Sequence, residues 1–393
     1  MIHMMVELFE IKRFLPLPYE EAMAPRLKRA QDKLWSGGGR PDWVRLPEER
    51  MAPLRLRALA ESVRAQGRTL VLVDGGGLRE GIRGAAAFAG VPADREGARV
   101  RLLSGLPGPE ELRDAVELAA NGSVALCAAG GRESPAFRLL RQTLEERYGE
   151  EAERYVLTAG DLGAEPGENS GFGLLTAAGL LPMEALGVDA AAVLRGAAEM
   201  RRRCRASSFE NPAWRYAAVR RQLCRSGFAV ELLCCWDSAL GPLLEWAAQL
   251  FAAAEGKEGR VLFPVAVDYS RSFHTLGQCV QDGPRLFLET VVRLDEESED
   301  GLAGLREAVM DGTMRAHTER GVPNLMLRPG ARTAETLGSL LYFFQYAGGL
   351  SACLLDVDPL SCPGVEACRA RIRSLLPPEV PETKRRMAAA GIL

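Results

Sequence analysis

Short apolar runs alternate with longer segments of helical pattern along the first half of the chain. These runs occupy residues 69–73, 98–103, 123–127 and 154–158. The first run is followed by Gly75, Gly76 and Gly77, and the third by Gly130 and Gly131. A short apolar run that ends in a glycine-rich turn is typical of a buried strand leading into a helix. The pattern therefore predicts a parallel, doubly wound α/β sheet.

The second half of the chain repeats the alternation. Its strand candidates are residues 228–233, 262–267, 286–292 and 324–327, and a helical stretch at about 183–225 precedes them. Asn211 before Pro212 is a good helix start, because the amide side chain can cap the helix and proline is favoured at the first helical position. The fold class predicted is thus α/β, with two doubly wound parallel-sheet domains and flanking helices.

The length of 393 residues is too great for one ordinary hydrophobic core and indicates two domains. Four segments are expected: a helical segment at 1–60 that packs on the second domain, a first α/β domain at 61–185, a second at 186–376, and a tail helix at 377–393.

Composition and charge narrow the possible partners. Hydrophobic residues make up 47% of the chain and charged residues 26%, as in an ordinary soluble globular protein. The formal net charge of -3 gives no reason to expect a nucleic acid or an anionic membrane as partner. The basic run at 201–205 is short and is interpreted as a solvated helix end.

Cysteine and histidine usage favours a reduced, metal-free cytoplasmic protein. The nine cysteines are scattered without C-x-x-C spacing, which indicates free thiols. The three histidines, His3, His274 and His317, are too dispersed for an evident metal site. No apolar run approaches about 18 residues, so neither a signal peptide nor a membrane span is expected.

Several motifs, in order and with similar spacing, resemble the glucose-6-phosphate isomerase family in its small bacterial form. They are N-P-A-W-R-Y-A-A-V-R at 211–220, H-T-L-G-Q at 274–278, G-T-M with A-H-T within 312–318, V-P-N-L at 322–325 and P-G-V-E-A at 363–367. The resemblance implies two sugar-isomerase (SIS-type) domains, an aldose–ketose isomerase, a sugar or sugar phosphate as ligand, a homodimer and no cofactor.

The resemblance also exposes a missing catalytic group. The segment L-F-A-A-A-E-G-K at 250–257 matches a family segment that reads roughly L-F-G-E-S-E-G-K, whose first Glu is the general base. That position holds Ala253, and a methyl group cannot take a proton. Glu255 matches the second Glu of the family segment. Two residues along a helix correspond to about 200°, so Glu255 is expected to face away from Ala253.

The phosphate-binding turns that the resemblance implies are also altered. The family's hydroxyl-rich turn aligns with residues 127–134, which leaves Gly130, Gly131 and Arg132 as substrate-binding candidates. A second family contact, a Ser after a Gly-Gly pair, aligns with Leu78 after Gly76 and Gly77. Arg132 could bind phosphate through its guanidinium, although pairing with Glu133 is the alternative.

Three further positions match family residues of catalytic role. Gly171 occupies the position of an Arg that stabilises the enediolate, so that group is lost. Arg369 replaces a Lys and keeps the charge, but it does not readily release a proton. His274 matches a ring-opening His that reaches the partner subunit's site, and a structural histidine is the alternative.

Four other polar residues receive weaker assignments. Gln249 matches a substrate-contacting Gln, with an ordinary helix-surface Gln as the alternative. His317 is interpreted as a packing residue, and Lys257 with Glu255 as a local structural contact. Asp74 is expected to form a turn and cap the next helix, with a general base as the alternative.

Three hypotheses for function follow. The preferred one is a family member impaired or inactive in glucose 6-phosphate/fructose 6-phosphate isomerisation, which acts as a sugar-binding or regulatory homologue. The second is an active sugar-phosphate isomerase with altered catalytic residues, such as Arg132 for the anion and His274 or Asp74 as base. The third is a binding module for a non-phosphorylated ligand.

Overall fold

The computed structural model describes residues 5–9, 11–15, 18–36, 43–46, 53–91, 99–129, 134–157, 170–257, 259, 261–295 and 302–375. The chain divides into two compact units. The first unit comprises Leu46–Ala86, Val91–Ala190 and Leu360–Leu393, and the second comprises Met1–Arg45, Ala87–Gly90 and Ala191–Pro359.

The strands in the described part of the chain are β1 (Met5–Phe9), β2 (Thr69–Asp74), β3 (Val100–Ser104), β4 (Val124–Ala129), β5 (Val230–Cys235), β6 (Phe263–Asp268), β7 (Phe287–Asp295) and β8 (Asn324–Ala331). The α-helices there are α1 (Tyr19–Ser36), α2 (Pro53–Ala65), α3 (Leu78–Phe88), α4 (Pro109–Ala120), α5 (Pro135–Tyr148), α6 (Ala177–Leu186), α7 (Ala190–Cys204), α8 (Pro212–Arg225), α9 (Gly241–Glu255), α10 (Tyr269–Ser272), α11 (Gln278–Asp282), α12 (Ala303–Glu319), α13 (Ala334–Leu354) and α14 (Pro363–Leu375). A π-helical turn, Phe273–Gly277, joins α10 to α11.

The first unit is built on a parallel sheet in the order β3-β2-β4. β2 is central and almost entirely buried, which explains why its sequence is a continuous apolar run instead of an alternating one. Leucine, valine and alanine side chains from the sheet pack against α4 and α5, with Leu126, Leu140 and Leu144 fully buried.

The second unit is built on a sheet in the order β1-β8-β7-β5-β6. All its neighbouring strands are parallel except β1, which runs antiparallel to β8. The fold-class prediction of α/β domains with parallel sheets is therefore confirmed.

Two helices of the second unit approach each other through glycine. A Cβ atom on Gly338 of α13 would lie 1.8 Å from the carbonyl oxygen of Val193 in α7, and one on Gly196 of α7 would lie 1.8 Å from that of Glu335. Ser339 adds a hydrogen bond by donating to the carbonyl oxygen of Gly196 at 2.9 Å. The two backbones are thus in direct contact, which only glycine permits.

Helix α13 is mostly apolar. Its 21 residues meet the length and composition expected of a membrane span, and the most apolar stretch is entirely buried within the protein. The core helix of a folded domain has the same properties, so the feature is weak evidence for a membrane.

The structure differs from the predicted strands at two places. No strand forms at residues 154–157, the described part of the strand predicted at 154–158. A 3-10 helix ends at Tyr155, and only Val156 pairs there, with Leu126. β1 is not predicted, because five residues without flanking turn signals are too short a pattern. The predicted tail helix at 377–393 lies outside the described residues.

Candidate active site

The carboxylate of Asp74 in the first unit lies at the N-terminal end of helix α3, where free backbone N–H groups can bind an anion. The residue ends β2 and is buried, and its Oδ2 accepts hydrogen bonds from the backbone N–H groups of Leu78 and Arg79, both at 2.9 Å. Its Oδ1 accepts from the N–H of Gly76 at 3.0 Å. The N–H groups that could hold a phosphate at a helix start therefore hold a carboxylate of the chain itself.

The turn after Asp74 requires glycine. Gly76 and Gly77 have φ angles of 149° and 104°, a region that side-chain-bearing residues rarely adopt. Burial raises the pKa of Asp74 above its usual value, while the backbone N–H bonds act in the opposite direction. The geometry agrees with the expected capping role of Asp74, and its carboxylate oxygens are already engaged by the backbone.

The second phosphate-turn candidate, formed by Gly130, Gly131 and Arg132, lies outside the described residues. The helix that follows is capped in an ordinary way, because Ser134 accepts a hydrogen bond from the N–H of Phe137 at 3.2 Å.

Gly171 lies buried in a 3-10 turn, Ser170–Gly173, that leads into α6. At the end of this segment Thr176 donates to the carbonyl oxygen of Gly173 at 2.6 Å. The backbone is tightly folded here, since a Cβ on Gly179 would lie 2.3 Å from the carbonyl oxygen of Leu174. An arginine at position 171 would therefore start from a buried backbone position.

Arg369 lies on α14, whose described side chains are exposed. Its Nη1 donates to Glu366 Oε1 at 2.6 Å, and both side chains are more than half exposed. This is an ordinary surface pair between residues one helical turn apart, worth little stability.

Helix α9 of the second unit carries three of the predicted positions. Gln249 is exposed, Ala253 is half-buried one turn later, and Glu255 is 4% exposed. The helical geometry therefore separates Glu255 from Ala253, as the sequence predicts. Ala253, where the family resemblance places the general base, lies on the same accessible side of the helix as Gln249 and carries no ionisable group.

Glu255 belongs to a buried ionic network. Arg220 Nη1 donates to Glu255 Oε1 at 2.6 Å, and Arg220 Nε donates to Glu231 Oε2 at 2.7 Å. Tyr216 and Thr290 donate to Glu231 Oε1 at 2.6 and 2.8 Å. One cation thus serves two carboxylates, and burial raises the pKa of Glu255 against the effect of Arg220.

Lys257, predicted to form a local structural contact with Glu255, lies just after the end of α9. Lys257 Nζ donates to the carbonyl oxygens of Ala254 and Asp358, at 2.8 and 2.5 Å. The carboxylate of Glu255 faces Arg220. Both residues thus take part in structural contacts at the end of α9.

His274 is exposed on the π-helical turn between α10 and α11. Its ring lies edge-on to that of Phe273, with centroids 5.4 Å apart. π-helical turns inside α-helices occur frequently at functional sites. The position is accessible, as a residue that acts on a ligand requires.

His317 is buried against the sheet. Its Nδ1 lies 2.9 Å from Glu289 Oε2, and Tyr269 donates to Glu289 Oε1. Cys234 adds a weak contact to the same oxygen at 3.8 Å. The interpretation of His317 as a packing residue agrees with this placement.

Glu231 and Glu289 each accept several buried hydrogen bonds, and the hydrophobic periodicity and family motifs do not indicate this role. Each lies inside an apolar strand, in V-E-L-L-C-C and F-L-E-T-V-V. An acidic residue within such a run is a usable signal, because a buried carboxylate must be paired or hydrogen-bonded. The position of each glutamate within an apolar strand therefore predicts a buried hydrogen-bond donor beside it.

All nine cysteines are free thiols. In the described part of the chain, no three His, Cys, Asp or Glu side chains are grouped so that they could hold a metal ion.

The fold is shared with solved structures. A hypothetical protein from Thermus thermophilus matches with a TM-score of 0.77 at 20% identity, covering 94% of this chain and 99% of the other. A glucose-6-phosphate isomerase from Chlamydia trachomatis matches with a TM-score of 0.68 at 14% identity, covering 95% and 89%. The protein therefore shares its fold with these two structures.

Sequence relatives define the family. Glucose-6-phosphate isomerase of Leuconostoc mesenteroides is 31% identical over 96% of both chains. That of Symbiobacterium thermophilum is 33% identical over 92% of this chain and 93% of its own. No protein-family model matches. The chain belongs to the glucose-6-phosphate isomerase family, which confirms the resemblance inferred from its motifs.

Proposed function

We propose that this protein is a sugar-binding member of the glucose-6-phosphate isomerase family that is impaired or inactive in interconverting glucose 6-phosphate and fructose 6-phosphate. The observation that carries the proposal is Ala253. It lies on the accessible side of α9 beside Gln249, where the family resemblance places the general base. A positioned general base contributes about 10²–10⁴-fold to a proton transfer.

The carboxylate nearest in sequence does not replace the missing base. Glu255 is buried, and Arg220 holds it by a charge-assisted hydrogen bond. Asp74, the base considered in the alternative hypothesis, accepts hydrogen bonds from three backbone N–H groups of its own turn. Both carboxylates have structural partners that account for their positions.

Gly171 adds to the proposed impairment. The family resemblance places an enediolate-stabilising Arg there, and removing such an electrostatic contact typically costs about 10²–10³-fold. Arg369, at the family's Lys position, pairs with Glu366 at the surface and does not readily release its proton. His274 remains as the exposed family residue able to contact a sugar.

Asp74 affects which kind of sugar the protein can bind, because its carboxylate occupies the N–H groups of the α3 turn. The family name of the relatives points to a sugar phosphate. The carboxylate in the α3 turn competes with a phosphate dianion for the same N–H groups and repels it. This observation favours a second candidate function, the binding of a sugar without a phosphate group.

We extend the family's homodimer to this chain as part of the proposal, together with a cytoplasmic location. The free thiols of all nine cysteines support a reducing compartment. Sedimentation velocity measures the assembly state directly, and a species of 42.6 kDa would contradict the dimer.

Turnover and binding must be measured separately to test the proposal. A coupled assay with fructose 6-phosphate should give turnover at least about 10²-fold below the Leuconostoc mesenteroides enzyme measured in parallel. Calorimetry with glucose 6-phosphate, fructose 6-phosphate, glucose and fructose should show binding of at least one. Turnover above that limit which His274→Ala abolishes would overturn the proposal in favour of an active isomerase.

A further inference from the structure

The π-helical turn that carries His274 has little packing of its own. Phe273, His274, Thr275 and Leu276 are all exposed, and only Gly277 is buried. A five-residue turn of this kind gains little from burial, so the segments on either side must hold its geometry.

The two flanking segments enter the hydrophobic core of the second unit. Tyr269, the first residue of α10, is 1% exposed, and Val280 of α11 is 3% exposed. Both belong to a cluster of buried side chains that covers β5, β6, β7 and β8. The side chain of Val280 makes apolar contacts, whereas the side chain of Tyr269 also donates a hydrogen bond through its hydroxyl.

The bond partner of Tyr269 is fixed from several sides. Glu289 is 1% exposed on β7 and receives the Tyr269 hydroxyl on Oε1 and His317 Nδ1 on Oε2, the latter at 2.9 Å. The backbone N–H of Glu289 donates to the carbonyl oxygen of Pro323 at 2.8 Å. His317 is itself 2% exposed on α12. Through Glu289 of β7, Tyr269 is thus linked to His317 of α12.

The hydrogen bonds around Glu289 strongly favour one position of the Tyr269 side chain. A buried carboxylate that loses a donor retains its desolvation cost without compensation, so alternative positions of Tyr269 are disfavoured. The aromatic ring is confined as well, because the Trp236 ring lies 4.9 Å from it. A Cβ on Gly277 would lie 3.8 Å from the Tyr269 ring, so the ring also borders the far end of the π-helical turn.

We propose that Tyr269, Glu289 and His317 form a clamp that fixes the π-helical turn and thereby sets the orientation in which His274 meets a bound sugar. Tyr269 is accordingly a positioning residue that acts through His274. The functional part of this inference rests on the proposed sugar binding, and the structural part does not.

The chain offers a matched control for the clamp. Tyr216 is a second buried tyrosine of the same unit, and its hydroxyl donates to the buried Glu231 at 2.6 Å. Tyr216→Phe and Tyr269→Phe therefore remove the same kind of bond, but only Tyr269 begins the segment that carries His274.

Hydrogen exchange tests the structural part without a ligand. Mass spectrometry of the full-length protein should show faster amide exchange across residues 269–282 in Tyr269→Phe, by about ten-fold or more. Tyr216→Phe should leave that segment within about two-fold of wild type. Equal protection of the segment in both variants would overturn the clamp.

A double-mutant cycle tests the positioning role. Among glucose 6-phosphate, fructose 6-phosphate, glucose and fructose, the sugar that wild type binds most tightly is the probe. Tyr269→Phe should weaken its binding about three-fold or more, and should have no further effect in a His274→Ala background. Tyr216→Phe should give equal changes in both backgrounds. An additive effect of Tyr269→Phe would overturn positioning through His274. If wild type binds none of the sugars, the proposed function fails, and the exchange result alone decides the clamp.

Discussion

Arg220 joins Glu255 at the end of α9 to α8, with Nη1 of the arginine 2.6 Å from Oε1 of the glutamate. The same guanidinium also holds Glu231 of β5 at 2.7 Å. The end of the helix that carries Ala253 is therefore tied to β5, an interior strand of the sheet. The core of the unit therefore holds Ala253, the position where the family resemblance places the general base.

Replacing Arg220 by Met should destabilise the protein by about 3–5 kcal/mol, because two buried carboxylates lose their cation. Urea denaturation followed by circular dichroism measures the change. Arg369→Met is the matched control, since it breaks the exposed pair with Glu366 and should cost within about 0.5 kcal/mol. Similar midpoints for the two variants would show that the buried network contributes no more than a surface pair.

Asp74→Gly should open the α3 turn to external anions. The carboxylate that occupies the N–H groups of Gly76, Leu78 and Arg79 is removed. We expect tighter binding of fructose 6-phosphate by calorimetry, with a stability loss of roughly a few tenths of a kcal/mol, because glycine replaces the helix cap.

Thr333→Gly is the control for this change, because Thr333 caps α13 by accepting from the N–H of Thr336 at 3.1 Å. It should lower stability to a similar extent without changing sugar-phosphate affinity. Unchanged or weaker binding in Asp74→Gly would contradict the view that the carboxylate excludes phosphate.

Ala253→Glu combined with Gly171→Arg should recover a trace of isomerase activity, because it restores two charged groups of the family. Sugar-phosphate binding should remain weak while Asp74 occupies the α3 turn. Ala252→Glu in place of Ala253→Glu is the control, since position 252 is exposed about 100° around the same helix. Equal activity in the two double variants would argue against position 253 as the base site.

Gly338→Ala should destabilise the protein by about 1–3 kcal/mol, because the new methyl meets the backbone of α7. Gly312→Ala is the control, since the space around Gly312 on α12 is open. Alanine there should raise stability by about 0.5–1 kcal/mol through its better helix propensity. Thermal melts of the two variants should therefore shift in opposite directions, and equal melting temperatures would refute the close packing of α7 and α13.

Most of the fold could be predicted from the sequence because it rests on local patterns. The seven parallel strands follow from short apolar runs, and the start of α8 follows from Asn211, which caps it by accepting from the N–H of Ala213 at 2.9 Å. The prediction of a strand at 154–158 is wrong over the described residues 154–157, because one bridge at Val156 does not form a ladder. β1 depends on tertiary pairing with β8, which a five-residue pattern does not encode.

The candidate site could be predicted only in part. Family motifs indicate Ala253, Gly171 and His274, but nothing local to Glu255 indicates its bond to Arg220, 35 residues away in sequence. The cap formed by Asp74 is foreseeable, because a carboxylate before glycines at a strand end commonly forms such a turn. Distant partners depend on chain topology, which periodicity alone does not determine.

The antiparallel strand β1 has a practical consequence for handling the protein. It pairs with β8 along five residues, from Met5 with Arg328 to Phe9 with Asn324. Trimming the first ten residues would leave the N–H and C=O groups along one side of β8 without partners. An exposed edge strand of this kind can pair with strands of other molecules and cause aggregation. A tag at the N-terminus would be attached next to β1, so purification tags are better placed at the C-terminus.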